Sequence, residues 1–335
     1  MGVADKEPLI SVIIPIVNYN SDRSIKAIES VLQQQDCHFE VIVVDDGSSN
    51  QIREVIKQYG NSVQYTIQNN QGIAEARNLG IAQAKGDLIV FLDANHYFLP
   101  EKLATHSAIF KENPDIGIVH SGWQRVNSQN NKTVDVCPWK DVSELDLAGW
   151  LRWKPVFLSA MMFRREWLEY LSGFDPFFAP ADDTDLILRM ALKGCKTTWL
   201  EKITVGYHQE DNIKQQSLLK GRSLSLVINR FFAQPDLPSK IKLMEYSVLY
   251  STNVWIAWDL YQTKDFQEMI YYLKQSCQYT PFSPVETTIN WIESFTTFSK
   301  NWAVEFDVME LTDSQEWQDL AMWIIKEYPL QTCSI

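Results

Sequence analysis

Two apolar runs in this sequence end in acid. Glu40–Val44 leads directly into Asp45-Asp46-Gly47-Ser48-Ser49, and Leu88–Leu92 leads into Asp93-Ala94-Asn95. A continuous apolar run of this length suits a parallel strand covered on both faces. Open α/β sheets bind ligands beyond the carboxyl ends of such strands. Both runs therefore deliver carboxylate and amide oxygens to one crevice. Oxygen clusters suit hard cations and, through them, phosphate groups. The sequence holds no Gly-x-Gly and no P-loop, so the Gly-rich cradles of dinucleotide- and NTP-binding folds are absent.

Those oxygens work together only if the chain holds them in register. Ile10–Ile14 reads as a strand stopped by Pro15. Ser21 or Asp22 caps a helix whose Ile25, Ile28, Val31 and Leu32 share one face. Val41–Val44 is a second strand. Ser49 then caps a helix with Ile52, Val55, Ile56 and Tyr59 inward and Gly60 as its stop. Val63–Ile67 is a third strand, followed by the turn Asn69–Gly72 and an Ala-rich helix ending near Gly86. Leu88–Leu92 is the fourth strand, and Pro100 suits the first turn of the next helix. This alternation predicts right-handed crossovers and an α/β fold, with a mostly parallel central sheet and flanking helices. Further on, Ile116–His120 and Ala160–Phe163 read as strands and Asn127–Lys132 as a polar loop. Asp183–Lys193 reads as a helix stopped at Gly194. Past about residue 215 the pattern is helical, as in Ile241–Leu260, Asp265–Gln278 and Ser314–Lys326. Pro235, Pro238, Pro281 and Pro284 punctuate it. The expected domains are 1–215 and a helical 216–335.

The totals narrow the function classes. The chain has 335 residues, 45% of them apolar, enough for a sizeable core. A formal charge of −12 argues against a nucleic-acid partner, which would need a basic footprint. The five cysteines are scattered, with no zinc or redox spacing, and read as reduced core thiols. No apolar run is long enough to span a membrane and the N-terminus lacks a signal-peptide core. The expected location is cytoplasmic, free or peripheral to the inner face of a membrane.

Six motifs in order give the stretch 9–210 a resemblance to glycosyltransferase family 2, whose fold is GT-A. They are Ser11-Val12-Ile13-Ile14-Pro15, Ala27–Gln34, Val43–Ser49, Gly72-Ile73-Ala74-Glu75-Ala76-Arg77-Asn78, Gly86-Asp87 and Phe91–Asn95. Downstream, Gly173-Phe174-Asp175 and Asp182-Asp183-Thr184-Asp185-Leu186 resemble the family's acceptor-side segment. The helical tail lies outside the resemblance.

The resemblance implies a role for each position. Asp93 and Asn95 match the DXD motif that holds a divalent cation, Mn2+ or Mg2+, with Asn where the family has Asp. An amide oxygen is neutral, so it binds a cation more weakly than a carboxylate does. His96 and His208 are further ligand candidates. Asp46 matches the residue that reads a uracil-type base. Pro15 and Ile16 would line the base pocket, with Asn18 or Tyr19-Asn20 beside them. Arg77 faces the diphosphate or base. Asp45 either joins this group or caps the Ser48 region. Asp183, after Asp182, would take the proton of the acceptor hydroxyl, although both also suit a helix N-terminus. Trp139, Trp150 and Trp153 cluster where acceptor loops are expected and are either stacking platforms or core.

The reading is an inverting glycosyltransferase. It moves a sugar from a nucleoside-diphosphate sugar, of UDP type first, to an acceptor hydroxyl by single displacement. The acceptor is a glycan, lipid, protein or small molecule. The helical tail is expected to mediate homo-oligomer formation or partner docking. The alternative, which Asn95 motivates, is a non-catalytic scaffold of the same fold with weak or no metal binding.

Overall fold

The computed structural model describes residues 7–17, 21–48, 50–126, 133–152, 156–208, 214–302 and 304–326. The chain divides into two compact units, Met1–Glu210 and Asp211–Ile335.

The first unit is built on nine strands: β1 (Leu9–Ile16), β2 (His38–Asp45), β3 (Gln64–Ile67), β4 (Leu88–Phe91), β5 (His96–Phe98), β6 (Ile116–Val126), β7 (Thr133–Val136), β8 (Met161–Arg164) and β9 (Lys196–His208). Between them lie α1 (Ser21–Leu32), α2 (Asn50–Lys57), α3 (Ile73–Gln83), α4 (Lys102–Glu112), α5 (Leu147–Arg152), α6 (Arg165–Tyr170) and α7 (Asp182–Leu192). The sheet order is β3-β2-β1-β4-β8-β6-β9-β5, and β7 pairs with β6. The strands β1 to β4 are parallel to one another where they pair. From β8 onward antiparallel pairs enter, β4 with β8, β6 with β8 and β5 with β9, so the whole sheet is mixed. The apolar runs are strands with little or no exposure: Ile13, Ile14, Val43, Val44, Ile89 and Val90 are all 0% exposed.

Pro15 does not stop β1, which continues to Ile16. Ile13 faces β4, since its carbonyl accepts from the Leu92 N–H at 2.9 Å. Two residues on, Pro15 faces the same side, beyond the last β1–β4 pair at Phe91. The donor that proline lacks falls where no strand needs it. α3 lies close on β1 because position 80 is glycine: a Cβ there would meet Ile13 Cγ2 at 2.3 Å.

The second unit contains α8 (Lys214–Phe232), α9 (Ser239–Lys242), α10 (Glu245–Gln262), α11 (Phe266–Ser276), α12 (Pro284–Asn301), α13 (Val308–Asp313) and α14 (Gln315–Lys326). Its core holds Trp258, Trp291 and Phe295. Two of the buried indoles are satisfied: Trp258 Nε1 donates to Ser299 Oγ at 2.9 Å and Trp291 Nε1 to Ser276 Oγ at 3.0 Å. α12 starts with a capping box between Ser283 and Glu286, with Pro284 in its first turn. No helix among the described residues is long and apolar enough to cross a membrane.

Candidate active site

Past β4 the chain turns through Asp93, Ala94 and Asn95 into β5. Two residues of other segments brace the turn. The Asp93 N–H donates to the Ser159 hydroxyl at 3.2 Å, and the same oxygen lies 2.8 Å from His96 Nδ1. His96 is stacked on Phe157 with centroids 4.9 Å apart, and its Nδ1 is 3.8 Å from Asp93 Oδ2. β5 runs antiparallel to β9 with His96 opposite Tyr207. That register sets the backbone of His208 beside Asn95. The side chain of His208 lies outside the described residues, as do Asn18, Tyr19, Asn20 and Trp153.

Asp93 and Asp182 meet at Arg77. Its Nη2 is 3.0 Å from Asp93 Oδ1 and its Nη1 is 3.0 Å from Asp182 Oδ2. The guanidinium also sits over Phe174, 5.3 Å from the ring centroid. Arg77 and Asp182 are buried, and neither Arg77 Nε nor Asp182 Oδ1 has a hydrogen-bond partner among the described residues. Burial alone would disfavour the charge. The carboxylates of Asp93, Asp182 and Asp183 more than offset it and hold the guanidinium above its ordinary pKa. The planar fork of arginine lets one side chain serve two acids. Arg77, expected to face the nucleotide, thus directs both terminal nitrogens at acid groups.

The next residue on α3 fixes the acceptor-side segment. Asn78 Nδ2 donates to the Phe174 carbonyl and Asn78 Oδ1 accepts the Phe174 N–H, both at 2.8 Å. Gly173 has φ 69°, and a Cβ on it would lie 2.3 Å from Asn78 Oδ1. Arg189 Nη2 donates to the Gly173 carbonyl at 2.8 Å, while its Nε pairs with Asp185 Oδ2 at 2.7 Å. Asp185 therefore anchors Arg189. These bonds hold the segment before α7 against α3 and carry the α7 N-terminus to the Asp93 turn. Asp183, half-buried, accepts the Thr184 N–H at 2.6 Å through Oδ1.

At the end of β2 the two acids have structural partners. Asp46 Oδ1 accepts from Gln68 Nε2 at 2.8 Å and from the Gln71 N–H at 2.6 Å, and its Oδ2 accepts the Gly72 N–H at 2.8 Å. Asp46 thereby ties β2 to the turn preceding α3. Asp45 Oδ1 accepts the Ser48 N–H at 2.8 Å, which caps that turn, and Oδ2 accepts from the Tyr65 hydroxyl at 2.6 Å. Burial, then the bond and charge of Asp45, push the Tyr65 hydroxyl above its ordinary pKa. Pro15 and Ile16 are buried, and the Ile16 carbonyl accepts the Asp46 N–H at 2.8 Å.

Among the tryptophans, Trp150 is only 2% exposed and meets His120 edge-on at 6.0 Å, as a core residue does. Trp139 is half-buried and meets Trp199 edge-on at 6.5 Å. Sequence reasoning assigned no role to Asn78 or Ser159. Asn78 had a signal, since it adjoins Arg77 in a stretch of small residues. Ser159 had none, since it lies 66 residues from the turn it braces.

The donors at the turn are one carboxylate, Asp93, and one amide, Asn95, with position 208 alongside. No group of three or more His, Cys, Asp or Glu side chains gathers at a metal-sized site among the described residues. This set does not fit a closed cage of protein ligands. It fits a hard cation that keeps waters and shares phosphate oxygens.

Comparison with known proteins bears on the fold and the family. The pattern of glycosyl transferase family 2 matches residues 11–171. An uncharacterized glycosyltransferase of Nostoc sp. is 34% identical over 178 residues, covering 50% of this chain and 54% of that protein. The chain spans about half the length of that relative and a smaller share of the Rickettsia relatives it matches. Among solved structures, Staphylococcus aureus TarS 1-349 in complex with UDP-GlcNAc has a TM-score of 0.62 at 18% identity, covering 89% of this chain and 93% of that one. A mannosyltransferase of Pyrobaculum calidifontis in complex with GDP-Man and Mn2+ has a TM-score of 0.59 at 16% identity, covering 96% and 86%. At such identities the likeness is one of fold, GT-A. Over residues 11–171 the chain is similar to glycosyl transferase family 2.

Proposed function

We propose that the protein is an inverting glycosyltransferase that moves a sugar from a nucleoside-diphosphate sugar, of UDP type, to an acceptor hydroxyl. The observation that carries this reading is the buried Arg77 bridge. It joins the Asp93 turn to the first residue of α7, the helix that carries Asp183 next in sequence, and this supports a role for Asp183 near that turn. TarS, solved with UDP and with UDP-GlcNAc, supports the choice of UDP as the first donor to try.

In the proposed reaction Asp183 accepts the proton of the acceptor hydroxyl as its oxygen bonds to the anomeric carbon. The bond from that carbon to the diphosphate breaks on the opposite face, and the electron pair leaves with the diphosphate. One displacement inverts the configuration and forms no sugar–enzyme bond. Asp93, Asn95 and His208 are the groups to hold a divalent cation, which when bound neutralises charge growing on the leaving group. Arg77 keeps Asp93 and Asp182 in place. Asp46, Pro15, Ile16, Asn18 and Tyr19 form the base side, where Asp46 also fixes the turn. Half-buried Trp139 is the remaining described candidate for contact with acceptor.

The test is release of nucleoside diphosphate from UDP-GlcNAc, UDP-glucose, UDP-galactose and GDP-mannose with manganese present. Release from one of them, abolished in Asp183→Asn while that nucleotide still raises the melting temperature, is the expected result. No release and no thermal shift with any nucleotide would overturn the proposal in favour of a non-catalytic scaffold, which Asn95 in the cation motif would then explain.

A further inference from the structure

The helical unit contains a cavity of about 330 Å³ walled by α8, α10 and α11. Its size lies at the lower end of small-molecule sites, about 300 to 1,000 Å³. Its lining is mixed, with Leu226, Ile228 and Leu249 beside tyrosines and amides, and Arg222 is its one charged group.

Asn253 lies on the cavity wall and is 8% exposed. Its Nδ2 donates to the Leu249 carbonyl one turn back at 2.8 Å, which fixes the plane of the amide. The Oδ1 accepts no hydrogen bond among the described residues and is not one of the fully buried unpaired atoms, so it remains open to a donor in the cavity. Asn229 is oriented in the same way, its Nδ2 donating to the Ser225 carbonyl at 2.7 Å. Gln275 accepts from Gln278 Nε2 at 3.0 Å, which leaves its own NH2 as a donor to the cavity.

Aromatic faces flank these amides. Tyr271 is 53% exposed and is braced edge-on by Tyr272 at 5.2 Å. Tyr279 is half-buried and held against Tyr246 at 5.8 Å. Arg222 is paired with Glu268 at 3.5 Å, so the cavity offers no uncompensated charge to an anion. Fixed amides that both give and accept, beside exposed aromatic faces and without net charge, match one ligand chemistry. A pyranose has hydroxyls that each donate and accept, and a C–H face that packs on an aromatic ring.

We propose that this cavity is a binding site for a neutral oligosaccharide, separate from the residues of the donor site. It would hold a glycan by a second point on the chain, so that binding does not depend on the chemistry at Asp93.

The experiment uses the full chain and the probes maltotetraose, cellotetraose and chitotetraose, followed by saturation-transfer NMR and calorimetry. One probe is expected to bind with about millimolar affinity. Tyr271→Ala and Asn229→Ala, both at exposed positions, are each expected to weaken it about tenfold, and Tyr271→Phe to retain it. The thermal shift produced by UDP should be unchanged in all three. Absence of binding by every probe overturns the proposal, and so does binding that both alanine variants leave intact. Oligosaccharide binding without any nucleotide shift would sink the donor reading while leaving this site standing.

Discussion

Arg77 and Asp182 lie 105 residues apart in sequence and form a 3.0 Å ion pair whose side chains are 6% and 1% exposed. Such a pair does little net work when intact, because desolvation cancels much of its attraction. Removing one partner is different, since it leaves a charge buried alone. Arg77→Ala should therefore destabilise the α/β unit by about 3 to 5 kcal/mol. Arg77→Lys should recover only part of this, because one ammonium does not reproduce a fork to both Asp93 and Asp182. Urea denaturation of the three proteins checks it. A loss below about 1 kcal/mol for Arg77→Ala would show that the triad is not held as described.

The same pair shows what the sequence could reveal. Asp93, Asp182 and Arg77 were each legible from their motifs, and the strands that carry Asp45 and Asp93 from their apolar runs. Which group each side chain touches was not legible. Arg77 and Asp46, expected at the nucleotide, also bind protein groups, and these contacts could not be read because long-range partners such as Asp182 and Gly72 leave no local pattern. β5 escaped notice because three residues are too short to show a period. Pro15 was read as a stop because its harmlessness depends on where β4 ends.

Asn78 offers a second check on the acceptor side. Its amide makes two 2.8 Å bonds to the Phe174 backbone. Asn78→Leu removes both and leaves a backbone N–H and C=O without their partner, a loss of about 1 to 3 kcal/mol for each group left buried. Because the same bonds position α7, turnover should fall by more than donor affinity does. Equal donor affinity and equal turnover in Asn78→Leu and the parent would contradict the positioning role.

A buried basic cluster behind the sheet sets the acid limit of stability. Lys102 and His106 are 0% exposed, with Lys102 Nζ 3.1 Å from His106 Nε2. His106 Nδ1 lies 2.9 Å from the Lys102 carbonyl, so it carries the proton and leaves Nε2 to accept from the amine. His120 is also fully buried, 4.7 Å from Trp199. Burial lowers all three pKa values, with His120 down to about 3 and His106 well below its ordinary range. The folded state thus binds fewer protons than the unfolded one. Stability should be fully present above about pH 6.5 for the histidines and lost as pH falls toward 3, at roughly 1.4 kcal/mol per unit for each group. His120→Phe should move the acid-unfolding midpoint to lower pH. An unchanged midpoint would show that His120 is not held neutral.

Gly80 and Ile13 permit a steric test of how α3 sits on β1. A Cβ at position 80 would approach Ile13 Cγ2 to 2.3 Å, which forces one element to shift. Gly80→Ala gains helix propensity but should still lose about 1 to 3 kcal/mol through overpacking. In an Ile13→Ala background the same change should cost little, because the obstructing methyls are gone. The double-mutant cycle should therefore show a coupling of at least about 0.5 kcal/mol, and additive losses would place the helix farther from the strand.

On the proposed reading, Asn95 sets how strongly the Asp93 turn attracts a cation. It contributes a neutral oxygen beside a carboxylate whose Oδ1 already bonds Arg77 at 3.0 Å. The turn therefore has little negative charge left over, and manganese should bind weakly without nucleotide and much better with UDP, whose phosphates complete the shell. Asn95→Asp adds a charge at the turn and should tighten manganese binding in both states, with the larger gain in the absence of UDP. Calorimetric titration of manganese into parent and variant, with and without UDP, measures this. If the variant binds no more tightly in either state, position 95 is not a ligand, and its amide serves only to shape the approach to β5.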